Sequence, residues 1–311
     1  MPVKLGYLLP TRESVMEGRP EAEPLLNLAE RAEQLNFDSV WVGDSILARP
    51  RHEPMTLLAG VAGRTRRVKL GTAVLLPALR NPVVLAHMAA TVDQVSSGRL
   101  ILGVGIATDV PNIRAEFRAV GVPFEKRVGT MMEGLRLCKA LWSGKPVDWD
   151  GRWQMEKAVL GPVPHQAGGP PIWAGGSVPG ALERAGKHFD GWFPNGPEAA
   201  VWGQHLKQVR AHAQAAGRKP EDVLAAAYLT LNVDDNATRA EERMNKFLES
   251  YYGRRPDVIR KHQACFAGPA ASAAEWLNGY VEQGCQYIVL RIAGEHERHL
   301  DAVARLREQL K

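Results

Sequence analysis

Short apolar runs alternate with longer stretches of helical periodicity from one end of the chain to the other. Eight runs have the length and composition of strands, at residues 3–9, 39–42, 68–76, 100–104, 171–174, 191–193, 224–233 and 287–292. Strands that are apolar almost throughout, each followed by a helix, are typical of a parallel sheet buried on both faces. Eight such units most often close on themselves, so the pattern predicts an α/β fold, a (β/α)8 TIM barrel. An open doubly wound sheet is the alternative.

The stretches between the strands have the apolar spacing of amphipathic helices. One start signal is Asn81-Pro82, in which a capping side chain precedes a proline in the first helical turn. The predicted helices cover residues 25–35, 55–62, 82–92, 128–142, 178–186, 198–216, 239–248, 271–282 and 296–310.

Two segments exceed the simple repeat of a barrel. An insertion after the fourth strand, residues 143–170, contains Asp150-Gly151 between two short runs, which predicts a β-hairpin. A long connection before the eighth strand, residues 250–269, carries paired tyrosines and several basic side chains. Connections of this length are often lids or binding loops, so we expect a lid there. Because α/β barrels routinely use this much chain, we expect residues 1–311 to form a single domain.

Composition excludes several classes of protein. Of the 311 residues, 45% are hydrophobic and 23% charged, which is a globular balance. The three cysteines lie far apart without a CxxC pair, which argues against a disulfide framework or a thiolate metal site. The net charge of +5 suits an anionic cofactor or substrate better than nucleic acid. Since neither a membrane-length apolar run nor a signal-peptide pattern occurs, we expect a soluble, cytoplasmic protein.

The turn Gly175-Gly176-Ser177 follows the fifth strand and leads directly into a helix. Active residues of such barrels lie at the carboxyl ends of the strands. The two glycines allow a close approach of the backbone, and free amides at the positive end of the helix dipole suit a phosphate. A tight turn that needs glycine only for its dihedral angles is the other interpretation.

Two further strands carry charged candidates. Asp44 follows the second strand and precedes Ser45. Its carboxylate either accepts a proton or holds a ligand hydroxyl, or else caps the next segment. Arg291 lies on the eighth strand, where it either binds an anion or forms a structural ion pair.

The loop after the fourth strand, residues 105–112, has small and polar residues suited to lining a planar ligand. Its candidates are Gly105, Ala107 and Thr108, and a flexible turn is the alternative. The stretch from Gly103 to Thr108 lacks the third glycine of a dinucleotide fingerprint, so we reject a Rossmann fold. The chain also lacks the patterns of a serine hydrolase elbow, a Schiff-base lysine and a zinc site, and we expect no metal ion.

In this order, the strand exits resemble those of the bacterial luciferase-like superfamily, the flavin- and deazaflavin-dependent (β/α)8 oxidoreductases. The matching segments are FDSVWVGDS (37–45), VKLGTAVLLPALRNPVVLAHMAATVDQVSSGRLILGVGIAT (68–108), VGVPFEKRVGTMMEGLRLCKALWSG (120–144), PIWAGGSVPGALERAGKHFDGWF (171–193) and CQYIVLRIAG (285–294). Together they cover most of the chain.

The resemblance implies a cofactor site at the carboxyl ends of the strands. Members of the superfamily have a non-proline cis peptide at the end of strand three, beneath the flavin ring. The corresponding bond here joins Ala73 and Val74, and Thr72 would lie beside the ring. Residues 175–177 match the phosphate-binding turn of the family.

Two positions depart from the family pattern. Many members have a histidine directly after the aspartate of strand two, where this chain has Ser45, so the acid–base role of that histidine does not carry over. The exit of strand four commonly reads GxGxG followed by an acidic residue, whereas this chain has Ala107 and Thr108. The second departure argues against sugar-phosphate dehydrogenation of the deazaflavin type.

The resemblance implies one leading function and two alternatives. The leading prediction is a monooxygenase that uses reduced FMN, supplied by a separate reductase, and O2 on a small organic substrate. Asp44 and Ser45 are its predicted catalytic residues, which orient the substrate or a peroxyflavin. The first alternative is hydride transfer with the deazaflavin F420, and the second is a flavin-binding protein without turnover. We expect no nucleic-acid or membrane partner, and a homo-oligomer is left open.

Overall fold

The computed structural model describes residues 2–311 and has the predicted alternation of strands and helices. The strands are β1 (Lys4–Leu8), β2 (Ser39–Val42), β3 (Lys69–Thr72), β4 (Leu100–Val104), β5 (Val147–Asp150), β6 (Gln154–Ala158), β7 (Ile172–Ala174), β8 (Gly191–Trp192), β9 (Leu224–Val233), β10 (Cys265–Gly268) and β11 (Tyr287–Ile292).

Helices connect these strands, and each predicted helix is present within a few residues of its expected bounds. The helices are α1 (Thr11–Met16), α2 (Glu23–Gln34), α3 (Pro54–Arg64), α4 (Pro82–Val95), α5 (Pro111–Ala119), α6 (Arg127–Leu141), α7 (Pro179–His188), α8 (Ala199–Ala215), α9 (Ala237–Tyr252), α10 (Pro256–Arg260), α11 (Ala270–Glu282) and α12 (His296–Leu306). None of them, within residues 2–311, has both the length and the apolar character needed to cross a membrane.

The strand order confirms the (β/α)8 barrel. The sheet runs β10-β9-β11-β1-β2-β3-β4-β7-β8, and a further pairing of β8 with β9 closes a ring of eight strands. The pairs of β1 with β11 and with β2 are parallel, with Lys4 opposite Tyr287 and Gly6 opposite Ser39. A closed ring excludes the open doubly wound alternative.

The insertion after β4 contains the predicted hairpin. Strands β5 and β6 are antiparallel, with Asp150 opposite Gln154 on either side of the turn. The turn is held by the carboxylate of Glu133 on α6, which accepts the Arg152 amide at 2.7 Å and also pairs with the Arg152 guanidinium.

Two predicted segments differ from the structure. The third strand, predicted over residues 68–76, ends at Thr72, and Leu75 then forms a single bridge to Val104. The long connection over residues 250–269 is largely regular: it contains the end of α9, all of α10, and β10, which pairs in parallel with β9. Apolar runs as short as four residues cannot be assigned from periodicity alone, which is why β10 was not predicted. A lid role for this segment stays a prediction.

The chain divides into two compact units. The larger unit comprises β1, Asn27–Trp41 and Ile172–Lys311, and its sheet carries a cluster of aromatic rings on one face. Ring centroids lie 5.3 Å apart for Trp41 and Trp173, and 4.9 Å apart for Trp41 and Phe193. Gly6 lies directly beside this cluster, since a Cβ there would be 2.5 Å from Trp41 Nε1.

The smaller unit comprises Pro10–Leu26 and Val42–Pro171. The buried guanidinium of Arg99 donates to the carbonyls of Ala62, Thr65 and Val68, each at 3.0 Å, which ties the end of α3 to the start of β3. The predicted cap of α4 is present, because the Asn81 side chain accepts the Val83 amide at 2.9 Å.

Close packing of α7 against α8 generates a stability prediction. A Cβ at Gly186 would lie 2.3 Å from the Val209 carbonyl oxygen and 2.8 Å from the Ala213 nitrogen, and neither backbone atom can rotate away. We expect Gly186→Ala to lower the free energy of unfolding by about 1–3 kcal/mol, as overpacking does. Denaturant unfolding measures this change.

The matched control is Gly180→Ala in the same helix, where the new Cβ would meet only the Arg184 guanidinium, the far end of a long side chain, at 3.3 Å. The control is expected to be neutral or to stabilise by up to about 1 kcal/mol, since alanine has the higher helix propensity. Equal effects of the two substitutions would contradict the packing argument.

Candidate functional site

Asp44 lies immediately after β2, and its carboxylate is fully engaged. It accepts the Leu76 amide at 2.9 Å and both terminal nitrogens of Arg80, at 2.6 and 3.0 Å. The Asp44 side chain is only 1% exposed, so this bidentate ion pair is shielded from water. The geometry fits the capping interpretation of Asp44: the carboxylate fixes the chain after β3 relative to the end of β2.

Ser45 is part of a second buried arrangement, centred on Glu116 of α5. The Ser45 hydroxyl donates to Glu116 Oε1 at 2.9 Å, and the same oxygen accepts the amides of Ile46, Leu47 and Ala48 at 2.5, 2.7 and 3.2 Å. Glu116 is 1% exposed, and its Oε2 is buried without a hydrogen-bond partner in residues 2–311. One carboxylate therefore organises the whole turn after β2.

The residues expected beside a cofactor ring lie at the ends of β3 and β4. The peptide bond between Ala73 and Val74 is cis, as the resemblance implies. Thr72 is buried, and its hydroxyl donates to the Gly103 carbonyl at 2.8 Å. A Cβ at Gly105 would lie 2.6 Å from Val74 Cγ2, so glycine is needed for the two exits to lie this close.

The loop after β4 is partly exposed and is held by a residue from another element. Ala107 has a φ of +63°, a left-handed conformation that is uncommon outside glycine, and Thr108 is exposed. Arg127 of α6 donates to the Ile106 carbonyl at 3.0 Å and lies over the Phe124 ring. The structure thus places Asp44, Ser45, Thr72–Val74 and Gly105 in one linked group of strand exits, with Ala107 and Thr108 at its edge.

The turn after β7 lies in the larger unit. Gly176 has a φ of +100°, which L side chains rarely adopt, and it is exposed. Its carbonyl accepts the indole N–H of Trp192 at 2.9 Å, and the Ser177 hydroxyl donates to the Gly196 carbonyl at 3.1 Å. Helix α7 follows with Pro179 in its first turn and without a side-chain cap, and the amides of Ala181 and Leu182 donate to the Val178 carbonyl at 2.8 and 3.1 Å.

Arg291 lies near the carboxyl end of β11, also in the larger unit. It is 3% exposed and is hydrogen-bonded to Thr230, Tyr252 and Gln263, all of which are neutral. Of the two interpretations given for Arg291, the structural ion pair has no carboxylate partner among residues 2–311, because the hydrogen-bond partners are neutral oxygens.

Two buried cysteines and one histidine have pKa values far from neutral. Burial raises the pKa of the Cys138 thiol to about 12 and that of Cys285 to about 12, so both stay protonated. Burial, with a contribution from His299, lowers the pKa of His296 to about 3, so this imidazole is neutral. Across residues 2–311, no group of three or more His, Cys, Asp or Glu side chains is arranged to hold a metal ion.

Sequence reasoning missed Arg80 and Glu116, the partners that engage Asp44 and Ser45. Arg80 precedes the helix cap at Asn81, a position that suggests only a surface residue. Glu116 is 71 residues from Ser45, and no motif links the two positions. Only the folded chain brings these charges to the end of β2.

Comparison with known proteins identifies the family. Residues 3–310 match the family described as luciferase-like monooxygenase. This chain belongs to that family. Its relatives include a 5,10-methylenetetrahydromethanopterin reductase from Methanolobus tindarius, 31% identical over 81% of this chain and 74% of the relative. They also include an F420-dependent glucose-6-phosphate dehydrogenase from Kineococcus radiotolerans, 32% identical over 78% of this chain and 71% of the relative.

Solved structures agree on the fold. An F420-dependent secondary alcohol dehydrogenase in complex with an F420-acetone adduct superposes with a TM-score of 0.84, at 20% identity, covering 100% of both chains. The family and the named relatives make this chain a flavin- or F420-dependent oxidoreductase of the luciferase-like type.

The Glu116 arrangement generates a second prediction. Glu116→Gln keeps the shape of the side chain but removes its negative charge, which accepts hydrogen bonds from three backbone amides and the Ser45 hydroxyl. We therefore expect the free energy of unfolding to fall by about 1–3 kcal/mol. Hydrogen exchange at the Ile46 and Leu47 amides should accelerate about tenfold or more.

Glu125→Gln is the matched control, because the Glu125 side chain is 69% exposed and pairs with Arg114 on the surface. A surface pair contributes at most about 1 kcal/mol, and the exchange of Ile46 and Leu47 should not change. Unaltered exchange of both amides in Glu116→Gln would remove the assigned role.

Proposed function

We propose that this protein is an F420-dependent oxidoreductase that transfers hydride to or from a small organic substrate. The observation that carries the proposal is the 32–34% identity, over 70–78% of this chain, to proteins named as F420-dependent glucose-6-phosphate dehydrogenases. The departure at Thr108 argues against a sugar phosphate as the substrate, so the proposal takes the cofactor of these relatives and leaves their substrate aside.

The backbone of the chain fits a ring-and-phosphate cofactor at two places. A side chain at Gly105 would collide with Val74. The surface at the exits of β3 and β4 therefore consists of backbone and small groups. At Gly176 the exposed turn has a φ of +100°, and it precedes a helix without a side-chain cap. In the smaller unit, Thr72, Ala73, Val74, Gly105, Ala107 and Thr108 are the proposed ring-binding residues. In the larger unit, Gly175, Gly176 and Ser177 are the proposed phosphate-binding residues.

When bound, F420 supplies the hydride chemistry, and the side chains of this protein position the reactants. Asp44 and Ser45 act as positioning residues, because their polar atoms are already used by Arg80, Leu76 and Glu116. Neither side chain is available as a nucleophile in this arrangement. Their contribution is a rigid turn after β2 and a fixed exit from β3.

A second candidate function is monooxygenation with reduced FMN and O2, with a separate reductase supplying the reduced flavin. The observation that favours it is Ser45 in place of the family's histidine, since hydroxylation by a flavin needs no acid–base side chain at that position. Under this proposal the same residues hold FMN.

Cofactor titration separates the candidates. We expect the purified 311-residue chain to bind F420 at least tenfold more tightly than FMN, and to show no saturable binding of NAD, by isothermal titration calorimetry. Tighter binding of FMN would favour the second candidate. Binding of NAD alone would contradict both, because the stretch from Gly103 to Thr108 lacks the third glycine of a dinucleotide fingerprint.

The phosphate role of the turn after β7 is tested at Gly176. We expect Gly176→Asp to weaken F420 binding about a hundredfold or more, because a carboxylate would stand close to the phosphate. Gly176→Asn is the matched control: it has nearly the same size and the same backbone cost at a φ of +100°, without the charge. Equal affinities of the two variants, with matching thermal melts, would place the phosphate elsewhere.

A further inference from the structure

Arg291 is a buried cation held by neutral oxygens. Its Nε and Nη2 donate to the Thr230 hydroxyl at 3.2 and 2.7 Å, Nη1 donates to the Tyr252 hydroxyl at 2.5 Å, and Nη2 also donates to the Gln263 side-chain oxygen. Among residues 2–311, no carboxylate forms an ion pair with this guanidinium. Arginine stays protonated in proteins, so Arg291 carries a positive charge. Because no carboxylate of the described residues is paired with it, this charge has no local countercharge.

The surroundings of Arg291 are aromatic. Its guanidinium carbon lies 5.5 Å from the ring centroids of Tyr228 and Phe247, 5.2 Å from that of Tyr251, and 5.4 Å from that of Tyr252. Aromatic faces attract a cation but do not neutralise it, and burying an unpaired charge is costly. Arg80, by contrast, is paired with the Asp44 carboxylate.

The position of Arg291 within the sheet points to a ligand site. It lies opposite Thr230 at the carboxyl-terminal part of β11 and β9, where (β/α)8 enzymes carry their chemistry. Side chains two or four residues apart on a strand share a face, so Arg291 shares its face with Tyr287, and Thr230 shares its face with Tyr228. Two of its partners, Tyr252 and Gln263, come from the segment 250–269, which was expected to act as a lid.

We infer that Arg291 recognises an anionic oxygen group of the substrate, a carboxylate or a phosphate attached to an apolar body. The planar guanidinium matches such a group with two parallel hydrogen bonds. The Tyr252 hydroxyl and the Gln263 amide oxygen, both from the segment 250–269, are neutral acceptors, and the anion takes their place on the guanidinium. The rings of Tyr228, Phe247 and Tyr251 pack against the apolar body. This inference deepens the proposed function by naming a substrate class.

The first experiment compares three small probes on the full-length protein without cofactor. Benzoate and phenyl phosphate carry the two candidate anions on one apolar ring, and benzyl alcohol is the neutral analogue. We expect the wild type to bind at least one anion more tightly than benzyl alcohol in isothermal titration, and Arg291→Gln to weaken that binding at least tenfold. The anion with the larger loss identifies the group that is recognised.

Arg260→Gln is the matched control, because Arg260 belongs to the same segment but is paired with Glu241 at 2.6 Å. It should leave both anion affinities within about twofold, since the removed charge is already compensated. An equal loss in Arg260→Gln and Arg291→Gln would overturn the inference in favour of general electrostatic attraction. So would wild-type binding that does not distinguish the anions from benzyl alcohol.

A second variant keeps the test decisive where Arg291→Gln does not fold. Tyr252→Phe leaves the cation and the ring in place and removes only the hydroxyl that occupies Nη1. We expect it to tighten anion binding about threefold or more, because the anion no longer displaces a hydrogen bond. Unchanged or weaker anion binding would mean that Arg291 serves packing alone. F420 titration of each variant keeps this result separate from the proposed function, since cofactor affinity should stay at the wild-type level.

Discussion

A closed ring of parallel strands leaves very little room for charge. Backbone hydrogen bonds use the polar groups along each strand, and helices cover the outer face, so charged side chains reach the sheet mainly where strands end. Several buried charges lie at or beside such ends, among them Asp44 after β2, Glu116 against the turn that follows it, and Arg291 near the end of β11. How each charge is compensated determines what that part of the molecule can do.

The compensation differs in each case. Asp44 is paired with the bidentate Arg80, whereas Glu116 is stabilised by hydrogen bonds from backbone amides and the Ser45 hydroxyl without an opposite charge among residues 2–311, and both carboxylates hold loops in place. Arg291 has hydrogen bonds but no opposite charge. Carboxylates that hold loops in place are compatible with an enzyme whose reactive group is a bound cofactor. A cation without an opposite charge is suited to recognition of a substrate anion.

Most of the fold was accessible from the sequence because its signals are local. The cap at Asn81, the Asp150-Gly151 turn and the eight apolar runs depend on neighbouring residues, and all are present in the structure. The cis bond between Ala73 and Val74 followed from family resemblance. The pairing of Asp44 with Arg80 and of Ser45 with Glu116 could not be predicted from the sequence. These contacts join residues 36 and 71 positions apart, and neither contact produces a periodic sequence pattern. The same holds for the partners of Arg291, which come from three separate elements.

Strand β9 is ten residues long and is bordered along one edge by two different strands. Strand β8 covers its first residues, the Tyr228 amide then reaches the Pro194 carbonyl at 2.8 Å, and β10 takes over from Thr230 onward. The segment 250–269 thus shields the open edge of a core strand. A shortened homologue or an engineered chain without β10 would expose the unpaired backbone of residues 230–233, and such edges template aggregation between copies. Protection against aggregation therefore constrains how far this segment can be trimmed.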